Sequence, residues 1–167
     1  MKFTFLFLSF AAIVGFIKLG PSSEPDVVYP ESMDKMHWLN LTEAQDLNAK
    51  EPKKLLVDIY APWCGPCKKL EQTTFSDPKV IEHISKDYYA VKFNAESGET
   101  VRFNGKSFSN PKFDKNKRPM SRNSPHEFTR AMGITGYPTI LVLDENLNVL
   151  DRHVGYKSPE QLIELLK

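Results

Sequence analysis

The sequence has few cysteines and almost no excess of either charge. Two cysteines in 167 residues exclude a secreted scaffold held together by many disulfides, and they exclude an all-cysteine zinc site, which needs about four ligands. The net charge of +1 provides no general attraction to nucleic acid, so we expect no nucleic-acid partner. The length predicts about one domain, and a hydrophobic content of 41% excludes global disorder.

The N-terminus carries an apolar run of the kind that directs export. Lys2 precedes fifteen uncharged residues, 3–17, and Lys18 follows them. A basic start and a short apolar core are typical of a secretory signal, whereas a membrane-spanning helix usually needs about 20 apolar residues. Because no small-residue cleavage site follows, we predict that residues 1–20 are either a signal peptide or an uncleaved membrane anchor. Residues 21–33 are rich in proline and serine and predict a linker.

Strand and helix signals alternate through residues 34–167. Mostly apolar runs predict strands over residues 38–41, 55–60, 88–94, 137–143 and 147–154. Capping and proline patterns predict helices that begin at Thr42, Asp77, Ser124 and Ser158, and a further helix is predicted directly after the second of these strands, over residues 65–73. This order predicts an α/β fold in which helices flank a central mixed β-sheet.

The two cysteines lie three positions apart, in the sequence Trp-Cys-Gly-Pro-Cys. Cys64 stands at the start of a predicted helix, where the helix dipole and free backbone N–H groups lower the pKa of a thiol. We therefore expect Cys64 to be the exposed, acidic thiol of the reduced protein. Cys67 is expected to be the buried thiol that resolves a mixed disulfide. Gly65 allows a large substrate to approach the backbone, and Pro66 is tolerated in a first helical turn.

Other uses of the cysteine pair fit the sequence less well. Half of a zinc site would need two further ligands, but the four histidines are scattered. A structural disulfide across so short a loop would stabilise little, because the effect falls with loop length. Haem attachment needs a histidine after the second cysteine, where this chain has Lys68. We expect no metal and no cofactor beyond a redox-active Cys64–Cys67 disulfide.

The residues around the cysteines resemble the thioredoxin family. Trp-Cys-Gly-Pro-Cys-Lys follows a Val-Asp-Ile-Tyr-Ala strand, and residues 134–139 read Ile-Thr-Gly-Tyr-Pro-Thr. The resemblance implies a thioredoxin-like fold for residues 34–167, with residues 97–123 inserted before a cis-proline, Pro138, that faces the cysteines. Residues 71–94 resemble a subgroup of exported thioredoxin-like proteins that includes the C-terminal domain of the bacterial transmembrane electron-relay protein.

The same resemblance implies roles for two charged residues. Asp58 matches the buried acid thought to accept the proton of Cys67, and Lys92 matches a lysine close to that acid. The residues themselves agree, because a carboxylate in an apolar strand is desolvated, which raises its pKa toward neutrality and suits a base. The alternatives are a solvent-facing acid at a strand end for Asp58 and a solvated side chain for Lys92.

Three further residues are candidates for binding the substrate chain. Pro138 interrupts a strand-like run, which favours a special turn, and cis bonds occur essentially at proline. In that geometry the backbone of Tyr137 can pair with an extended substrate. Trp63 is either an apolar platform beside the nucleophile or an ordinary core residue.

The insertion, residues 97–123, is basic. It contains seven Lys or Arg residues against two acidic residues, for a net charge of +5. Asn104-Gly105 predicts a hairpin with a type I′ turn, and the remainder is predicted to be loose. We interpret the insertion either as a solvated loop that the fold does not need or as a specificity element beside the cysteines.

These features predict an exported thiol–disulfide oxidoreductase that acts on protein disulfides, as a reductant. The chain would work in the periplasm or be secreted, and residues 3–17 would tether it to the inner membrane if they are not cleaved. A reductant outside the cytoplasm needs an electron source, and we expect a membrane dithiol donor. The alternatives are a disulfide oxidase or isomerase, and a binding or chaperone module with idle cysteines.

Overall fold

A mixed sheet of four strands forms the centre of the molecule. The structure is a computed structural model that describes residues 35–167; the predicted signal or anchor (1–20) and linker (21–33) lie outside the described residues. In chain order the strands are β1 (Lys54–Tyr60), β2 (Tyr88–Asn94), β3 (Val101–Phe103), β4 (Lys106–Phe108), β5 (Thr139–Leu143) and β6 (Val149–Val154). Strands β3 and β4 form a separate hairpin, and the other four form the central sheet. The helices are α1 (Leu41–Asn48), α2 (Gly65–Thr73), α3 (Pro78–Asp87), α4 (Glu127–Ala131) and α5 (Pro159–Leu165). Among the described residues, no helix is long and apolar enough to cross a membrane.

Strand β1 lies in the middle of this sheet. All of its interior residues are buried, as its near-continuous apolar sequence predicts. β1 pairs in parallel with β2 and antiparallel with β5, and β5 pairs with β6, so the strand order is β2-β1-β5-β6. The predicted strand at residues 38–41 is reduced to one bridge between Leu39 and Val91, because Asn40 already begins α1. The backbone of Leu39 nevertheless bonds to the outer edge of β2.

Alternation along β1 directs its side chains into two separate cores. Val57 and Ile59 pack with residues of α1, α4 and the β3–β4 hairpin on one face. Leu56 packs on the other face with Leu70 of α2 and with apolar residues of α3 and α5. Asp58 follows the alternation of Leu56, so its carboxyl group faces the layer that contains α2.

The start of α1 differs from the prediction. Asn40, not Thr42, is the N-cap residue, because its side-chain oxygen accepts bonds of 2.9 Å from the N–H groups of Thr42 and Glu43. Glu43 accepts a bond from the N–H of Asn40 in return. Gln45, which would complete a capping box with Thr42, instead donates to the carbonyl of Arg102 in β3 and accepts from the N–H of Asn104 in the hairpin turn, both at 2.9 Å. Its side chain thus fastens α1 to the hairpin.

The start of α4 also differs from the prediction, whereas those of α3 and α5 are confirmed at Asp77 and Ser158. His126, not Ser124, caps α4. Its Nδ1 accepts a bond from the N–H of Phe128 at 3.1 Å, so Nε2 carries the hydrogen and donates to the carbonyl of Glu99 at 2.8 Å. A fully buried histidine with a partner on each ring nitrogen therefore replaces the serine cap that the sequence predicts.

The first half of the insertion belongs to the core. The hairpin turns at Asn104 and Gly105 with φ angles of 47° and 73°, which confirms the type I′ turn. Phe103 is 4% exposed, and its ring meets that of Phe128 edge-on at 5.2 Å. The expectation of a solvated insertion is wrong for this half, because Phe103 lies within the main core cluster.

The second half of the insertion, residues 109–123, forms what we call the basic loop. It contains no helix or strand, but it is not loose, contrary to the prediction. Asp114 and Asn123 exchange backbone-to-side-chain bonds of 3.0 and 2.9 Å across it. The side chain of Asn110 donates to the carbonyl groups of Ser97 and Ser124 at 3.0 and 2.7 Å. These bonds close the loop and hold its two ends together.

We predict that Phe103→Ala lowers the free energy of unfolding by about 3–5 kcal/mol, since it removes a buried aromatic side chain and leaves a cavity. Met120→Ala is the matched control in the same insertion, because that side chain is 48% exposed and should change stability by at most about 0.5 kcal/mol. Urea denaturation of both variants measures the difference. Equal stability of the two variants would mean that the hairpin is not part of the folding unit.

Candidate active site

A disulfide joins Cys64 and Cys67 at the start of α2, with Cα atoms 5.3 Å apart. Cys64 is the N-cap residue, and its Sγ accepts a hydrogen bond from the N–H of Cys67 at 3.1 Å. The positive end of the helix dipole is therefore directed at the sulfur of Cys64, together with a first-turn N–H group that has no partner within the helix. This is the environment that stabilises a thiolate when such a disulfide is reduced.

The backbone in front of the disulfide is open. Gly65 and Pro66 are exposed, and a Cβ atom added at Gly65 would have no atom of the described residues within 4 Å. Cys64 and Cys67 are themselves 3% and 5% exposed. In the disulfide-bonded form, therefore, exposure does not separate the two cysteines as we expect for the reduced protein. Their positions do separate them, because Cys64 caps the helix and Cys67 lies inside it.

The Tyr137–Pro138 segment packs beside the cysteines. The peptide bond between these two residues is cis, as the family resemblance implies. Tyr137 contacts the small buried cluster that contains Cys64 and Cys67, and its ring lies 6.0 Å from that of Trp63. Pro138 is buried, and its carbonyl accepts a bond from the N–H of Gly155 at 2.8 Å. Trp63 and Tyr137 thus pack against the cluster that contains the disulfide, and Gly65 and Pro66 lie between its two cysteines.

Asp58 is a buried acid, and the solvent-facing alternative is wrong. The residue is 2% exposed, and its Oδ1 has no hydrogen-bond partner among the described residues. Burial raises the pKa of Asp58 from 3.8 to about 7, although the positive charge of Lys92 partly offsets the shift. A carboxyl group with this pKa exchanges a proton near neutral pH, as a general base must.

Lys92 lies opposite Asp58 in the pairing of β2 with β1. Its side chain is 20% exposed and pairs with Glu71. The ammonium group also lies 5.5 Å from the ring centre of Trp38 and 5.1 Å from that of Tyr60. A carboxylate and two aromatic rings therefore hold the lysine, so it is not the freely solvated side chain of the alternative interpretation.

Trp63 connects the disulfide to the insertion through a residue that the sequence analysis missed. The indole N–H donates to a carboxylate oxygen of Glu96 at 2.9 Å. The same oxygen accepts a bond from the backbone N–H of Asn123 at 2.7 Å, and the guanidinium of Arg122 lies 4.3 Å from the centre of the indole ring. Trp63 is half-buried and packs against the cluster that contains Cys64 and Cys67, as a partly exposed platform beside the nucleophile would, and it is not an ordinary core residue. No local pattern around Glu96 signals this contact.

The described residues contain no metal site. Within residues 35–167, no group of three or more His, Cys, Asp or Glu side chains is arranged to hold an ion. His126 is occupied as the cap of α4, and His153 lies 3.4 Å from the carboxylate of Asp151 on β6.

Comparison with known proteins agrees with this geometry. The family model of the thioredoxin-like domain matches residues 41–167. A curated relative, the thiol:disulfide interchange protein DsbD of Haemophilus influenzae, is 26% identical over 144 residues, which are 83% of this chain and 20% of that protein. The chain spans between 8% and 21% of the length of curated relatives that it matches.

Two solved structures resemble the chain in fold. A candidate disulphide-isomerase from Bacteroides thetaiotaomicron has a TM-score of 0.55 at 27% identity, over 79% of this chain and 91% of that one. The oxidised C-terminal domain of DsbD from Neisseria meningitidis has a TM-score of 0.50 at 17% identity, over 74% of this chain and 87% of that one. The second likeness concerns the fold alone.

Asp58 makes the stability of the oxidised protein depend on pH. Because burial raises its folded-state pKa to about 7 from 3.8, the folded state binds its proton more tightly than the unfolded state does. Its stabilising contribution is fully present below about pH 4 and is lost as the pH rises through about 7. Asp58→Asn should therefore gain stability relative to wild type, by about 2–3 kcal/mol, between about pH 5 and about pH 8.

Urea denaturation at the two pH values, with the disulfide intact, tests this prediction. Asp46→Asn is the matched control, because Asp46 is an exposed residue of α1 and undergoes the same chemical change. An Asp58→Asn variant that differs from wild type by the same amount at both pH values would show that the carboxyl group does not titrate in this window.

Proposed function

This chain belongs to the thioredoxin-like domain family, and on that premise we propose that it is a thiol–disulfide oxidoreductase that exchanges the Cys64–Cys67 pair with protein substrates outside the cytoplasm. The observation that supports it most is the disulfide at the N-terminus of α2, with Tyr137, the residue joined to Pro138 by a cis bond, packed against it. The open backbone at Gly65 supports access by a polypeptide.

The proposed reaction begins with the reduced pair. The thiolate of Cys64 attacks one sulfur of a substrate disulfide, which forms a mixed disulfide and releases the other substrate sulfur as a thiolate. Cys67 then loses its proton and attacks the sulfur of Cys64, which releases the second substrate thiolate. Both substrate thiolates are protonated, two electrons have passed to the substrate, and Cys64–Cys67 is oxidised.

Four residues around the disulfide assist this exchange in our proposal. Asp58, with a pKa raised to about 7 by burial, accepts the proton of Cys67. The backbone of Tyr137, held by the cis bond to Pro138, pairs with the extended substrate chain and gives affinity without a sequence preference. The face of Trp63 beside Cys64 contributes apolar contact area, and Lys92 moderates the pKa of Asp58.

We infer that electrons flow from this protein to its substrates. The Cys-Gly-Pro-Cys sequence is the version seen in thioredoxin, whose potential of about −270 mV is far more reducing than the value of about −120 mV of a strong periplasmic oxidant. No cofactor beyond the disulfide takes part. A membrane dithiol protein then has to supply the electrons, since the apolar N-terminal run favours a location outside the cytoplasm, either free or tethered by residues 3–17.

An oxidase or isomerase is the second candidate, favoured by the likeness to the candidate disulphide-isomerase from Bacteroides thetaiotaomicron. A binding or chaperone module with idle cysteines is the remaining alternative, and the arrangement of Tyr137 and Pro138 around the cysteines does not favour it.

Trapping experiments test the assignment of the two cysteines. Cys67→Ser should accumulate a mixed disulfide with insulin through Cys64, because attack is retained and resolution is lost. Cys64→Ser should neither turn over nor form that adduct, and non-reducing electrophoresis with mass spectrometry identifies the bonded residue. If Cys64→Ser forms the adduct and Cys67→Ser does not, the roles are reversed.

The direction of electron flow is tested by the reduction potential of Cys64–Cys67. Equilibration with glutathione buffers should give a value near −270 mV, the poise of a reductant. A value near −120 mV, typical of an oxidant, would contradict the proposed direction and support the second candidate.

A further inference from the structure

The basic loop presents positive charge that the fold does not neutralise. It carries five basic residues and one acidic residue, and all five basic side chains are exposed: Lys112, Lys115, Lys117, Arg118 and Arg122. Within residues 35–167, none of them forms an ion pair with a carboxylate. This concentration of cations contrasts with the balanced charge of the whole sequence, where 22 basic residues face 21 acidic ones.

The loop is fixed beside the disulfide. Arg122 lies over the indole of Trp63, the residue before Cys64. The carboxylate of Glu96 joins the indole N–H of Trp63 to the backbone of Asn123 at the end of the loop. Glu96 is 6% exposed, so this connection is partly shielded from water, and it gives the loop a defined position beside the residue that precedes Cys64.

A cavity of about 180 Å³ separates the loop from the active-site segment. Its lining includes Pro62, two residues before Cys64, and three cationic residues of the loop, which outnumber the carboxylates of Glu96 and Asp114: Lys115, Lys117 and Arg118. Small-molecule sites usually have about 300–1,000 Å³, so this cavity suits a side chain or two of a polypeptide better than a cofactor. Met120, also in the lining, is 48% exposed, and methionine and arginine are enriched at protein interfaces.

We propose that the basic loop is a docking surface for acidic segments of the protein substrate, next to the substrate's disulfide. The inference deepens the proposed function and rests on it. A polypeptide is favoured over an anionic lipid because the cavity continues from the cationic loop to Pro62, where a substrate disulfide must approach. Acidic side chains near that disulfide would meet Lys115 and Arg118 while its sulfur atom meets Cys64, so the loop would select substrates by charge.

Kinetics with a matched pair of peptides tests the docking surface. Each peptide holds one disulfide, flanked by several Glu residues in one peptide and by Gln residues in the other. The measured quantity is the ratio of kcat/KM for the acidic peptide to that for the neutral peptide. We expect about two- to tenfold preference for the acidic peptide at an ionic strength of about 0.01 M, and a ratio near one at about 1 M, where the Debye length is only about 3 Å.

Two double variants with equal charge changes localise the effect. Lys115→Gln/Arg118→Gln, in the cavity lining, should bring the low-salt ratio close to one. Lys79→Gln/Lys86→Gln, on exposed positions of α3 outside that lining, should keep the wild-type ratio. Thermal denaturation confirms that both variants are folded. A wild-type ratio of one, or an equal fall in both variants, overturns the docking surface while leaving the oxidoreductase intact.

Two further outcomes would also overturn the docking surface. They distinguish failure of the proposed function from binding of the loop to a membrane. If wild type reduces neither peptide, the proposed function itself fails, and the docking surface fails with it. If Lys115→Gln/Arg118→Gln abolishes binding to phosphatidylglycerol vesicles but leaves the peptide ratio unchanged, the loop contacts an anionic membrane and not the substrate.

Discussion

The burial of β1 on both faces is the constraint on which the active site depends. It removes the carboxyl group of Asp58 from water and so raises its pKa to about 7. The strand ends at Tyr60, which leaves a short turn before Cys64 begins α2. Because β5 runs antiparallel to β1, its first residue, Thr139, pairs with Ile59. The cis-proline that precedes Thr139 is therefore brought to the end of β1 where the cysteines lie.

Elements with strong local signals could be predicted from the sequence. The strand over residues 88–94 and the helix over residues 65–73 have the predicted bounds, since apolar periodicity and capping residues act within a few positions. The starts of α1 and α4 could not be predicted in the same way. Gln45 bonds to the backbone of the hairpin instead of capping α1. His126 is buried, and its ring bonds to the backbone of Glu99 in the insertion. Both outcomes depend on contacts between residues distant in the sequence.

The residues of the candidate site fall into the same two groups, those placed by local sequence signals and those placed by contacts between distant residues. Cys64, Cys67, Asp58 and Pro138 lie in or directly beside the elements whose order the sequence predicts, so their proximity follows from the fold. The contact of Trp63 with Glu96 and Arg122 spans 33 residues or more of sequence, and no spacing pattern marks it. The solvated interpretation fails for the hairpin for a related reason: the charge of the insertion predicts solvent exposure, whereas Phe103 is buried against Phe128, which is distant in the sequence.

The bonds between Leu39 and the outer edge of β2 affect the tendency of the fold to aggregate. An unpaired sheet edge is a template on which another chain can add a strand, and Leu39 occupies part of that template through Ala90 and Lys92. At the opposite edge, charged Asp151 and Arg152 interrupt the exposed apolar residues of β6, and such charges oppose strand addition. Both edges are thereby protected against the edge-to-edge association that partly folded chains undergo.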